Sequence, residues 1–261
     1  MITKYLIGAV LVASLLTGCE SSPKYGAGSD GAAGSLGEVN KKNDETNVYA
    51  QLGLEYMRTG QYDVALQKLH RGLNKNPDNA NLHYVIGLVY DGLREVNLAD
   101  EHFREGLRLE PKNSYIINAY GTFQCKQKHY TEAIELFKRA IKNPLYDNPE
   151  VAWSNAGFCA SEIPDNEQAE TYLRTALRIN KEYPPALSQM ANLMLAKEKY
   201  LSARGYLQRY EQVAAASSSS LWTCIRVERE LKDKDKAASC KLSLRNKFPD
   251  SDEAALLRDG Y

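Results

Sequence analysis

Long apolar runs are scarce in this chain of 261 residues. Only the stretch from Tyr5 to Leu16 stays uncharged, for about a dozen residues, and a membrane-spanning helix needs roughly 20. An excess of either charge is missing as well: 33 basic and 33 acidic side chains leave a formal net charge of zero. The basic residues are interleaved with acids, the pattern of a solvated helix surface, and this excludes a nucleic-acid patch. Histidine is sparse, and His70, His83, His102 and His129 fall into no HExxH-like pair. No G-x-x-x-x-G-K-[ST] loop and no G-x-S-x-G elbow occur, and "GAGSDG" is followed by neither strand nor helix. The expectation is a protein that is not an enzyme, with no catalytic residue, no metal and no cofactor beyond a covalent lipid.

That lipid is expected at the N-terminus. Lys4 gives a short positive region ahead of the apolar stretch, so residues 1–18 read as a removed export signal. Leu16-Thr17-Gly18-Cys19 resembles the lipobox of bacterial lipoproteins, whose cysteine sulfur takes a diacylglycerol and whose freed amine is acylated. The resemblance makes Cys19 the lipidated residue. Glu20 stands where an aspartate often marks inner-membrane retention, which favours the outer membrane, with the protein facing the periplasm. Each buried methylene contributes about 0.8 kcal/mol, so one chain anchors weakly and two or three hold firmly. From Cys19 to residue 45 the chain is rich in Gly, Ser and Ala and lacks apolar periodicity. It reads as a flexible tether, and about 25 such residues span roughly 28 Å.

From residue 46 the sequence repeats. Gly53 matches Gly87, Tyr56 matches Tyr90, Ala65 matches Ala99 and Pro77 matches Pro111, each at an offset of 34 residues. This spacing resembles the tetratricopeptide repeat, a helix–turn–helix unit. Small residues recur at the eighth position (Gly53, Gly87, Gly121, Gly157, Ala191) and the twentieth (Ala65, Ala99, Ala133, Ala169, Ala203, Ala237), where paired helices must approach. Six repeats are expected, at 46–79, 80–113, 114–147, 150–183, 184–217 and 218–251, with a lengthened connection at "NPLYDNPE" and a cap at 252–261. The fold class is all-α, a right-handed superhelical solenoid. A monomer is expected, because the polar terminal residues suit closing the stack rather than extending it.

In such a solenoid the first helices line the concave surface through repeat positions 2, 5, 9 and 12. The first two repeats place Ala50, Leu54, Met57, Tyr84 and Leu88 there, an apolar set suited to an amphipathic helix or extended apolar segment of a partner. The competing reading is that Leu54 and Leu88 are core, or that the tether covers them. Later repeats offer the more polar Tyr115, Asn118, Thr122, Phe158, Ser188 and Asn192, then Trp222, Arg226 and Arg229. Four cysteines remain after lipidation, and the periplasm permits disulfides. Cys224 and Cys240, at positions 7 and 23 of the sixth repeat, face each other across the hairpin and are expected to bridge. Cys125 and Cys159 lie on consecutive first helices and either bridge or serve as small buried residues.

Several stretches go beyond a generic solenoid. "NAYGTFQCKQKHYTEAIELFKRAIKNPLYDNPEVAWSNAGFCA" and "ARGYLQRY", together with the lipobox and paired cysteines, resemble the type IV pilus biogenesis and stability lipoprotein family. The resemblance implies a pilotin: a lipoprotein that binds subunits of the outer-membrane secretin and promotes their localisation and multimerisation, supporting pili and twitching motility, with other pilus assembly proteins as further partners. The alternative is an outer-membrane adaptor for β-barrel assembly or for cell-wall hydrolases and proteases, which shares both anchor and solenoid.

Overall fold

The computed structural model describes residues 45–164 and 166–260. The export signal, Cys19 and nearly all of the tether lie outside these described residues. Among them there are thirteen α-helices and no strand. Twelve form six antiparallel hairpins: α1 (Asn47–Arg58) with α2 (Tyr62–Leu73), α3 (Ala80–Gly92) with α4 (Val96–Leu109), α5 (Ser114–Lys126) with α6 (Tyr130–Ile141), α7 (Pro149–Ser161) with α8 (Asn166–Ile179), α9 (Pro184–Ala196) with α10 (Tyr200–Val213), and α11 (Ser218–Glu230) with α12 (Lys234–Lys247). The short α13 (Asp252–Arg258) packs on α11 and α12. The fold is a right-handed tetratricopeptide solenoid.

Local chemistry sets where each hairpin starts and turns. Asn79 and Asn113 cap α3 and α5 through side-chain oxygens that accept backbone N–H groups, and Ser217 with Ser220 forms a capping box on α11. Between paired helices the chain passes through a left-handed residue: Gly60 (φ 76°), Arg94 (63°), Lys128 (65°), Glu198 (57°) and Lys232 (58°). The residue after each of these donates to a carbonyl five back, as in Gln61 N–H to Tyr56 and Asp233 N–H to Glu228. That is a Schellman closure, which satisfies carbonyls left open at a helix end.

Inside each hairpin the small residues permit close approach. A Cβ added at Gly53 would stand 2.6 Å from a Leu69 methyl, and one at Gly157 would stand 2.6 Å from Leu173 Cγ. The core divides into two clusters. One gathers α1 to α5 with Leu136, Ala140, Tyr146 and Ala152. The other runs from Ala133, Ile134 and Phe137 on α6 through α7 to Leu257 on α13. Cys125, at the end of α5, belongs to the second cluster and is disulfide-bonded to Cys159 of α7, with Cα atoms 5.8 Å apart. Cys224 and Cys240 form a second disulfide within the last hairpin, Cα to Cα 6.3 Å.

Candidate partner-binding face

The first helices α1, α3, α5, α7, α9 and α11 lie side by side as one layer, and the second helices cover one side of it. Polar side chains stitch neighbouring first helices together. Asn155 of α7 donates to Asn118 (3.1 Å) and Thr122 (3.3 Å) of α5, Ser154 donates to Gln189 of α9 (3.2 Å), and Thr223 of α11 donates to Asn192 (2.6 Å). Asn118, Ser154, Asn155, Gln189 and Thr223 are buried, so these bonds satisfy groups that would otherwise lose hydration. The ladder fixes the register of the layer and identifies the side chains that share its inner face.

One residue per repeat, at position 9, runs along that face: Leu54, Leu88, Thr122, Phe158, Asn192 and Arg226. Their exposure rises from buried Leu54, through half-buried Leu88, Thr122 and Phe158, to exposed Asn192 and Arg226. Ala50, Leu54, Met57 and Tyr84 sit in the N-terminal hydrophobic cluster, between 0% and 4% exposed. α1 and α3 pack side by side, and apolar side chains of this size are worth about 1.5–3 kcal/mol more buried than exposed. The apolar lining expected of this end is therefore largely packed away, and Leu88 is its member with free surface. Tyr115 is half-buried, stacked edge-on against Tyr146 (5.3 Å), and its hydroxyl donates to Asp147 (3.2 Å). Ser188 is buried, Trp222 is half-buried and Arg229 is exposed.

Charge is confined to a few places on this layer. α9 carries none, and α7 carries only Glu150. Asp91 of α3 is neutralised by Lys126 of α5 at 2.6 Å. Glu228 of α11, 2% exposed, receives both Arg204 Nε (3.0 Å) and Arg204 Nη2, and that guanidinium also reaches Asp233 (3.2 Å). These groups border a cleft of about 200 Å³ between α10, α11 and α12. A buried carboxylate held in this way locks α11 to α10, because removing either partner would strand a charge. The sequence pattern gave no sign of it, since Arg204 and Glu228 stand 24 residues apart with no motif around them.

The histidines do not assemble a catalytic or metal site. His83 Nε2 lies 3.0 Å from the Pro77 carbonyl, so it carries the proton and leaves Nδ1 to accept from His102 Nδ1 at 3.1 Å. Burial first, then His83 and His70, push His102 down to about 4. Among the described residues no group of three or more His, Cys, Asp or Glu is placed to hold a metal ion, and no helix is long and apolar enough to cross a membrane. The arrangement offers a surface for binding.

Comparison with known proteins fits this geometry. Residues 53–92 match a TPR repeat family model, and residues 80–113 match a tetratricopeptide repeat model. The chain is 30% identical over 241 residues to the type IV pilus assembly protein PilF of Pseudomonas aeruginosa, covering 92% of each. A solved structure of P. aeruginosa PilF superposes with a TM-score of 0.70 at 30% identity, over 83% of this chain and 97% of that one. The crystal structure of PilW, a widely conserved type IV pilus biogenesis factor, superposes with a TM-score of 0.74 at 27% identity, over 83% and 99%.

Proposed function

Since the chain belongs to the PilF/PilW family of tetratricopeptide proteins of type IV pilus biogenesis, we propose that it is a pilotin: a scaffold, lipid-anchored through Cys19, that holds outer-membrane secretin subunits on its inner helical face and promotes their localisation and multimerisation. The observation that carries this reading is the family membership over 92% of the chain, joined to adjacent first helices α7 and α9 that carry a single charged residue between them. A surface of that kind suits a polypeptide guest. Main-chain and apolar contacts supply its affinity, and the polar ladder gives fixed hydrogen-bonding points beside Thr122 and Asn192.

The physical logic of an anchored scaffold needs no energy source. Lipid chains at Cys19 would confine the protein to the periplasmic side of the outer membrane, and the tether would let the solenoid search the space beside it. Confinement raises effective concentration to around millimolar, so a weak groove affinity suffices to gather several secretin subunits.

Deletion of the gene, followed by blotting of outer membranes for heat-stable secretin multimers, tests the reading. Loss of the multimers is expected, restored by the wild-type gene and not by Cys19→Ser, which should leave a soluble periplasmic species. Normal multimers and pili in the deletion strain would overturn it and favour the adaptor role in β-barrel assembly or cell-wall remodelling.

A further inference from the structure

Several exposed arginines of the solenoid hold a carboxylate of their own helix. Arg104 holds Asp100 (2.6 Å), Arg108 holds Glu105 (2.7 Å), Arg174 holds Glu170 (2.6 Å), and Arg58 holds Glu55. Two arginines on the inner face hold none. Arg226 and Arg229 of α11 are exposed, and neither has an ion pair or hydrogen bond among the described residues. Glu230 stands four residues after Arg226, the spacing of a helical ion pair, yet no bridge forms. Glu228, the carboxylate between them in sequence, is turned inward and consumed by Arg204. The acids of the neighbouring α13, Asp252 and Glu253, and Asp259 just after it, reach neither guanidinium.

These two cations also share one face. Trp222, Arg226 and Arg229 stand at positions 5, 9 and 12 of the last repeat, at spacings of four and three, and so lie one above another. Thr223, adjoining Trp222, bonds to Asn192 of α9, which ties this stripe to the inner-face ladder. Like charges three apart on a helix repel, and nothing local compensates them. The adjoining faces of α7 and α9 carry no cation.

We infer that the sixth-repeat end of the inner face is a carboxylate-binding subsite, at which Arg226 and Arg229 take paired Asp or Glu side chains, or a chain-terminal carboxylate, of a polypeptide lying along the layer, with Trp222 packing its neighbouring apolar residue. The inference deepens the proposed function, because it sets the chemistry and the direction of the guest. The acidic end lies on α11, and the guest continues past Asn192, Phe158 and Thr122 to the apolar Leu88. Guanidinium groups match carboxylates in a fork geometry, and charge-assisted hydrogen bonds are roughly twice as strong as neutral ones.

The test uses the full mature chain and two short fluorescent peptides, one alternating Leu and Phe with Asp and Glu, the other carrying Asn and Gln in their place. At low salt the acidic peptide should bind about tenfold more tightly or better, the preference shrinking as salt rises. Arg226→Gln with Arg229→Gln should erase the preference, the double Lys variant should keep part of it, and the double Glu variant should reverse it towards a Lys-containing peptide. Equal binding of acidic and neutral peptides, or a preference that survives the Gln variant, overturns the subsite. Anionic phosphatidylglycerol vesicles are the competing arm: capture of vesicles through these arginines without peptide preference would assign them to the lipid surface instead. None of these readouts involves secretin, so a failure here is distinct from a failure of the multimer assay.

Discussion

Single side chains in this solenoid answer to their immediate neighbours, and His102 shows how far. It lies between α3 and α4, with His83 at hydrogen-bond distance, Tyr90 at 5.6 Å between ring centroids, and His70 and Glu105 near enough to act on its charge. Burial and two imidazoles outweigh the favourable pull of Glu105, so the folded value of about 4 lies below the ordinary 6.5. The sign of the linkage follows. Above 6.5 the group is neutral in both states and contributes nothing. As pH falls from 6.5 towards 4 the unfolded chain takes up a proton that the folded chain refuses, and stability drops. His102→Gln should therefore flatten the loss of thermal midpoint between neutral and mildly acidic pH while changing little above 6.5. A slope unchanged in the variant would place the acid sensitivity elsewhere. The histidines were visible in the sequence only as scattered residues, because a pairing across 19 residues depends on how two helices meet and not on any spacing rule.

At the scale of the hairpin, much of the fold was legible and the turn was not. The offset of 34 residues, the small residues at positions 8 and 20 and the prolines after second helices all report helix packing, which repeats because the geometry repeats. The left-handed turn residue repeats equally faithfully, at 60, 94, 128, 198 and 232, but only the first of these is glycine. Elsewhere the chain tolerates Arg, Lys or Glu at a strained φ, so the residue type hid the conformation. Whether the N-terminal set lines a groove or is core was left open by the sequence. Position within a repeat says which way a side chain points, but it does not say whether the neighbouring helix covers it, as at Leu54 and Tyr84. The buried Glu228 could not be found for the same reason. The strain itself is measurable. A non-glycine residue in the left-handed region costs roughly 1–2 kcal/mol, and glycine's extra unfolded-state freedom takes back about 0.5–1. Lys232→Gly should thus stabilise the last hairpin by about 0.5–1 kcal/mol, read as a higher denaturant midpoint. Lys232 is exposed, so a lower midpoint would mean that its side chain makes a contribution the geometry does not account for.

For the whole molecule, the division of the core into two clusters matters most. A solenoid is stabilised by each hairpin and its nearest neighbours, and cooperativity passes only through the interfaces between them. The apolar side chains of α5 face the N-terminal cluster through Ile116, Ile117, Tyr120 and Phe123, whereas Cys125 at its end joins the C-terminal one. α5 touches α7 as little as it touches α3, and α7 leans on α6 instead, after the long "NPLYDNP" connection. The Cys125–Cys159 bond is thus the covalent tie between α5 and α7 at this junction. In the chain-entropy account a closed loop of this length, with a sequence separation of 34, contributes about 4 kcal/mol. Cys125→Ser with Cys159→Ser should lose up to that amount, and it should also change the mode of unfolding. Hydrogen exchange should show α7 to α13 opening separately from α1 to α5, where the disulfide-bonded chain opens as one unit. Loss of the Cys224–Cys240 bond, with a separation of 16, should instead loosen only α11 to α13 and leave the junction intact. If the Cys125/Cys159 variant kept a single opening event at an unchanged midpoint, the two clusters would be one cooperative core and the bond superfluous to it. If the halves do come apart, the inner face divides between Thr122 and Phe158, and a guest spanning from Leu88 to Arg226 would hold them together, so that peptide binding and junction stability rise and fall in step.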